Sequence, residues 1–251
     1  MAQTGIVMGI DVGTSGTRAI VVDAGSSQPG RSLGGATADY PLHTPRPLWA
    51  EQDPADWWRA AQEAICGALK AAGLSGADVQ GVGLTGQMHG TVFLDERNVV
   101  IRPAILWCDQ RTQPECDWIT TRVGASRLIE LTCNPALTGF SAPKIVWLRV
   151  HEPANYARVR KVLLPKDYLR FLLTGEYATD VADASGTLLL DVVKRAWSHE
   201  MLERLEIDRQ WLPEVYEAPA ITGRITPRAA EATGLAVGTP VIAGGGDQAA
   251  G

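Results

Sequence analysis

The chain lacks several features that would place it in a specialised class. Its 251 residues include four cysteines, Cys66, Cys108, Cys116 and Cys133, and no two form a C-x-x-C pair. None has a histidine at zinc spacing, so neither a zinc site nor a disulfide framework is indicated. The cysteines read as free thiols of a soluble cytoplasmic protein. No apolar run approaches the ~20 residues that cross a bilayer. Met1 to Ile10 carries no basic flank and only a short apolar run, which reads as a buried strand and not a signal peptide. Basic residues do not dominate: 23 Lys and Arg face 28 Asp and Glu, for a net charge of −5. This argues against nucleic acid or an anionic membrane as partner, because both reward a basic surface. The G-x-x-x-x-G-K-[ST] phosphate loop is absent, and there is no internal repeat, low-complexity tract or flexible linker.

What is present is a globular composition, 45% apolar and 20% charged, long enough to bury a substantial core. Ile6–Ile10 is a short apolar run ending at Asp11, followed by Gly13-Thr14-Ser15-Gly16 turn chemistry and a second β-rich run from Thr17 to Asp23. Gly34–Leu42 supplies a third strand. Asp53 followed by Pro54 marks a helix start, and the apolar spacing from Trp57 to Ala72 continues it until Gly73 closes it. Val79–Leu84, Thr91–Leu94, Val99–Trp107, Val159–Leu164, Thr187–Val193 and Pro240–Ala243 read as strands. Ser141–His151, Asp167–Leu173 and Pro227–Thr233 read as helices. Strands and helices alternate after an antiparallel opening, which predicts an α/β fold with a mixed sheet. The pattern indicates one domain with inserted surface elements.

Three segments carry the residue types that chemistry needs. Asp11 stands at a strand end, where a carboxylate can hold a magnesium ion, and the Gly13-Thr14-Ser15-Gly16 turn offers N–H groups and hydroxyls to phosphate oxygens. An ordinary glycine hairpin with the acid facing water is equally compatible with that segment alone. Gly244-Gly245-Gly246-Asp247-Gln248 follows an apolar strand; its glycines permit close approach of a ligand and Asp247 is placed to accept a proton. A plain strand-to-helix turn with Asp247 as N-cap is the alternative. Gly86-Gln87-Met88-His89-Gly90 offers hydrogen-bonding groups framed by glycines, suited to reading a polyol; a structural loop histidine is the alternative.

Met8-Gly9-Ile10-Asp11-Val12-Gly13-Thr14-Ser15-Gly16 resembles the opening phosphate motif of the FGGY carbohydrate kinases, which share an actin-like, RNase H-like fold. The internal signatures resemble the xylulokinase branch of that family. They include Trp49-Ala50-Glu51-Gln52-Asp53-Pro54 with Trp57-Trp58, Gly86 to Gly90, and Ile105-Leu106-Trp107-Cys108-Asp109-Gln110-Arg111. Leu164 to Arg170, Thr174-Gly175-Glu176, Asp180 to Thr187 and Gly244 to Gly251 continue the likeness in consistent order. The resemblance implies an α/β, actin-like/RNase H-like domain with a mixed sheet flanked by helices, and transfer of a phosphoryl group from MgATP to D-xylulose. It implies Asp247 as the general base and Met88, His89 and Asp247 as sugar contacts. Asp11 would organise magnesium, with Gly13, Thr14 and Ser15 beside the phosphates. Asp109 and Arg111 would either shape the pocket or form a buried salt bridge, and Trp57-Trp58 reads as core packing.

Members of this family carry a second domain that binds the nucleotide and closes over the sugar. The resemblance therefore implies that residues 1–251 are an N-terminal sugar-binding and catalytic domain, ending near the junction to an absent C-terminal domain. A short helix beginning at Asp247 would be cut after a few residues, which fits a fragment. Such a chain is expected to turn over little alone and to self-associate, up to a homodimer, through a partly apolar cut face. The alternatives are an FGGY kinase for ribulose, gluconate or glycerol, and a non-catalytic sugar-binding module. An actin- or Hsp70-like ATPase does not account for the mid-chain segments.

Overall fold

The computed structural model describes residues 5–25 and 29–250. The first four residues and Gly251, which belong to the opening and closing segments read above, lie outside the described residues. A mixed sheet forms the scaffold. It contains β1 (Ile6–Val12), β2 (Gly16–Asp23), β3 (Arg31–Asp39), β5 (Gly81–Gly86), β13 (Ile221–Arg224), β14 (Pro240–Ile242) and β15 (Gly245–Gly246). Its order is β13-β14-β5-β1-β2-β3, with β15 continuing beside β5. β1, β2 and β3 run antiparallel as the glycine turn requires, whereas β1, β14 and β15 all pair parallel with β5. Gly81–Gly86 spells G-x-G-x-x-G, yet all six residues lie inside β5. The pattern here is not the strand-turn-helix device that binds dinucleotides.

Alternation decides which face of the sheet is covered. Met8, Ile10, Val12, Ala19 and Val21 point one way and are buried. Helix α1 (Pro54–Ala72) lies against them with Trp57, Ala61, Ala64, Ile65, Ala68 and Leu69, one face of a 3.6-residue repeat. Its ends are as the sequence predicts: Asp53 accepts from the Ala55 N–H at 2.9 Å, and Gly73 closes the helix at φ 67°. The contact is close enough that Gly34 in β3 faces the α1 backbone; a Cβ there would sit 2.5 Å from the Ala72 nitrogen. α6 (Pro165–Thr174) and α9 (Pro227–Thr233) pack beside α1 over the same core.

A second apolar cluster lies outside the sheet. It joins α2 (Gln113–Val123), α3 (Ala125–Thr132), α4 (Ser141–His151), the short α5 (Pro153–Tyr156) and α8 (His199–Leu205). Four two-stranded ladders stitch this part together. They pair β4 (Glu51–Gln52) with β7 (Ala104–Ile105), β6 (Val92–Leu94) with β8 (Lys161–Leu163), β9 (Ala178–Asp180) with β12 (Glu214–Tyr216), and β10 (Leu190–Asp191) with β11 (Ala196–Trp197). The expected strand Val99–Trp107 contracts to β7, because Pro103 and the Asp109–Arg111 clamp described below bend the chain. The Thr187–Val193 run becomes the short β10 after Leu188 turns at φ 65°. α2, α3 and α8 were not evident in the sequence. In α2 the buried Cys116, Ile119 and Val123 are scattered among polar residues, while α3 and α8, at 8 and 7 residues, are too short for a 3.6-residue repeat to stand out.

Between the two clusters lies a wholly buried ionic group. Lys166 Nζ meets the carboxylates of Asp167 at 2.6 Å, Asp180 at 2.7 Å and Asp183 at 3.3 Å, and Arg170 Nη2 meets Asp167 at 3.0 Å. Three carboxyls face two cations. Burial, reinforced by the neighbouring carboxylates, holds the Asp183 carboxyl well above the usual carboxylate range, so it carries a proton and balances the charge. The native state then holds a proton that the unfolded state has lost once pH exceeds about 4, so this group's stability contribution falls as pH rises toward the folded midpoint. Urea denaturation across pH should show that fall, and Asp183→Asn should flatten it. Lys166→Met, which strands the remaining carboxylates, should cost about 3–5 kcal/mol at neutral pH. A further test of the sheet–helix contact is Gly34→Ala, which should cost about 1–3 kcal/mol through overpacking, read from the same melts.

Candidate functional site

The site is assembled where parallel strands end. Registers place Asp11, Thr85 and Gly245 in one row across β1, β5 and β15, and Val12, Gly86 and Gly246 in the next. Ligands of α/β sheets collect beyond such carboxyl ends. Asp247 opens α10 (Asp247–Ala250) directly after Gly246. Gly244, at φ 81°, makes the bend between β14 and β15, where a Cβ would collide with the Leu84 backbone. Asp247 and Asp11 are thereby brought close enough to interact. Burial first, and the Asp247 charge second, raise the Asp11 pKa, while Arg18 opposes them. Asp11 Oδ1 is buried without a hydrogen-bond partner among the described residues.

The turn from Gly13 to Gly16 is held from behind by its carbonyls. The Gly13 carbonyl accepts from Tyr40 Oη at 2.6 Å and Gln87 Nε2 at 3.1 Å. The Thr14 carbonyl accepts from Gln52 Nε2 at 2.7 Å, and the Ser15 carbonyl from the Tyr40 N–H at 3.2 Å. Gln52 Oε1 in turn accepts from Trp57 Nε1 at 3.0 Å and Gln87 Nε2 at 2.9 Å. With the acceptors taken, the Thr14 and Ser15 N–H groups donate to nothing among the described residues. The turn therefore presents unpaired donors, the arrangement that cradles anionic oxygens. Trp57 belongs to the core as expected, and its indole N–H also props the turn. The roles of Tyr40, Gln52 and Gln87 were not assigned from sequence; Gln52 and Gln87 lie 35 positions apart, and no local pattern links them.

Met88 and His89 leave β5 on the other side of Gly246. A Cβ on Gly246 would lie 2.5 Å from Met88 Cγ, so that glycine gives Met88 its seat. His89 adopts φ 67° and packs edge-on to Phe140 at 4.9 Å. Its Nδ1 lies 2.8 Å from the Gly186 carbonyl. A carbonyl only accepts, so Nδ1 carries the proton and Nε2 keeps a lone pair for an incoming hydroxyl. Burial lowers the His89 pKa, so the ring is neutral at pH 7. α7 (Val181–Ser185) delivers Gly186, whose lack of a side chain leaves room for the imidazole.

Asp109 and Arg111 form the buried salt bridge, with side chains 0% and 1% exposed and Nη2 to Oδ2 at 2.6 Å. Arg111 also meets Glu51 at 2.7 Å and lies over the Trp49 ring at 3.6 Å, while Asp109 Oδ2 accepts from the Ala50 N–H at 2.7 Å. The pair clamps the 104–112 segment to β4, and so positions Trp107, whose Nε1 donates to Thr14 Oγ1 at 2.9 Å. Gln248 is exposed, and its N–H caps Asp247 Oδ1 at 2.8 Å. An open cavity of about 710 Å³ runs along the uncovered sheet face, lined by Asp11, Arg18, Thr85, Gly245 and Arg195. No group of three or more His, Cys, Asp or Glu that could hold a metal occurs among the described residues. The four cysteines are free, and no described helix is long and apolar enough to cross a membrane.

A sheet that ends in a donor-rich turn beside paired carboxylates is suited to holding a phosphorylated ligand. The FGGY family of carbohydrate kinases, N-terminal domain, matches residues 6–251, and the chain belongs to that family. Its relatives include xylulose kinases. The protein of that name from Escherichia coli (strain K12) is 46% identical over 246 residues, covering 97% of this chain and 49% of that protein. A crystal structure of xylulose kinase from Rhodospirillum rubrum superposes with a TM-score of 0.90 at 30% identity, covering 97% of this chain and 49% of that one. One from Brucella ovis gives 0.88 at 37% identity, with 97% and 48% covered. The chain thus spans about half the length of the relatives it matches.

The two acidic residues can be tested without any ligand. In metal-free buffer, Asp247→Asn should lower the Asp11 pKa, read from its carboxyl carbon shift in an NMR titration. An unmoved midpoint would mean that the two carboxylates do not sense each other.

Proposed function

We propose that residues 1–251 are the sugar-binding, base-bearing N-terminal domain of a cytoplasmic xylulose kinase. The reaction is transfer of the γ-phosphoryl group of ATP to the terminal hydroxyl of D-xylulose, giving D-xylulose 5-phosphate and ADP. The observation that carries this reading is the convergence, at one end of the sheet, of a donor-rich turn, the Asp11–Asp247 pair and the Met88–His89 loop.

Each group then has a task. Asp247 takes the proton from the attacking hydroxyl as its oxygen bonds to phosphorus. The neutral His89 ring accepts a hydrogen bond from a sugar hydroxyl at Nε2, and the Met88 thioether packs against the carbon chain. Gly13, Thr14 and Ser15 surround the phosphate oxygens with backbone N–H groups and hydroxyls. Asp11, with one buried oxygen lacking a partner and a carboxylate neighbour, fits a divalent cation. Mg²⁺ is commonly held by one or two carboxylates plus phosphate oxygens and water, so a single protein ligand suffices here. Bound there, Mg²⁺ would neutralise phosphate charge during transfer.

In a polypeptide extended to the length of the relatives, D-xylulose-dependent ADP formation should exceed that with D-ribulose, gluconate or glycerol. Asp247→Ala should reduce it by roughly 10²–10⁴-fold. Faster turnover of another sugar would reassign the substrate, and near-normal turnover by the variant would remove Asp247 from the base role. The 251-residue chain alone should bind the sugar weakly and turn over little, because closure over the bound sugar excludes water and aligns the reactants.

A further inference from the structure

Lys144 is fully buried in α4, within the apolar run Ala142 to Leu148. Its ammonium makes no ion pair among the described residues. It donates instead to two carbonyls, His89 at 2.7 Å and Gly139 at 2.6 Å. An unpaired buried cation is expensive, and an apolar side chain of the same length would pack here at lower cost. Packing therefore does not account for it. The His89 carbonyl does: it also lies 3.3 Å from Ser141 Oγ and 3.3 Å from Thr91 Oγ1, so three side chains converge on one backbone oxygen. That oxygen belongs to a residue at φ 67°, a conformation that costs a non-glycine residue and persists only when its surroundings enforce it.

We propose that Lys144 is a positioning residue: its buried ammonium holds the His89 carbonyl, and through it the left-handed turn that sets the imidazole against Gly186. The inference rests on the reading of His89 as a sugar contact for its functional meaning, though not for its geometry. The ring has a fixed tautomer only while Nδ1 reaches the Gly186 carbonyl. Releasing the backbone lets the ring leave that carbonyl, and Nε2 then no longer faces the sugar as a defined acceptor. Burial lowers the Lys144 pKa to about 7. The other charged or titratable groups facing the ammonium are Asp109, Arg111, Cys108 and Cys116. Both thiols are pushed upward by burial and stay protonated near neutrality.

The test uses the imidazole ¹⁵N shifts of His89, identified by their loss in His89→Gln, and the D-xylulose dissociation constant from calorimetry. The wild-type chain should show a single Nδ1–H ring. Lys144→Met should mix or switch the tautomer and weaken sugar binding by at least about tenfold. On a His89→Gln background the same change should add less than about twofold, because the two residues act through one contact. A folded Lys144→Met chain with unchanged His89 ring shifts overturns the proposal. If the wild type binds no D-xylulose, the sugar assignment fails while the ring shifts still decide the role of Lys144. Should Lys144→Met not fold, the wild type decides it. The His89 ring signals, followed above the ring's own midpoint, should shift together with the Lys144 Nζ resonance, and a ring trace flat through the Lys144 midpoint overturns the proposal.

Discussion

The parallel pairing of β5 with β1 on one side and β15 on the other brings three strand ends to one level. Asp11 and Gly245 flank Thr85, and the Gln87-Met88-His89 segment leaves from the middle strand. A shift of one residue in either pairing would turn Asp11 into the α1 core or send Met88 away from Gly246. The register is held because the covered face of β1 and β2 is mainly apolar, with Met8, Ile10, Val12, Ala19 and Val21 against α1. Hydrophobic burial on one side of the sheet thus sets the position of the carboxylates on the other.

The turn at Gly13–Gly16 shows how polar groups finish what burial begins. Each of its carbonyls from Gly13 to Ser15 is paired from the rear, by Tyr40, Gln87 and Gln52. A buried Gln52 costs free energy unless its donors and acceptors are matched, and Trp57, Gln87 and the Thr14 carbonyl match them. The consequence is directional. A turn with occupied acceptors and free N–H groups favours anions, and it does so before any ligand arrives. The same logic recurs at His89, where the ring and the carbonyl are each fixed by a partner from a different element.

Charged residues divide by burial into two kinds. Exposed pairs such as Arg195–Glu217 join loops and contribute little each. The enclosed groups, Asp109–Arg111–Glu51 and Lys166 with its three neighbouring carboxyls, are costly to bury and are held by short ion pairs. Both lie behind segments that reach the site. The first clamps the loop carrying Trp107, and the second underlies α7 and Gly186.

Local signals were enough to read the opening hairpin, α1 with both caps, α4 and α9, because periodicity and capping residues act within a few positions of themselves. They also singled out Asp11, Met88, His89 and Asp247, since unusual glycine clusters frame all of them. Nothing local revealed α2, whose apolar face is thin, or α3 and α8, which are too short for a repeat to stand out; packing in the second cluster holds all three. Nor did it reveal β15, a two-residue strand that exists only because β5 offers a free edge beside Gly244. By itself the sequence determined the opening hairpin, α1 and the central strands of the first sheet, and it marked the residues that are candidates for chemistry. Only the tertiary structure decided that Asp11 and Asp247 face each other, that Tyr40, Gln52 and Gln87 hold the turn, and that Lys144 reaches His89. Those contacts join residues far apart in the chain, and no short-range pattern encodes a distance that only the completed packing creates.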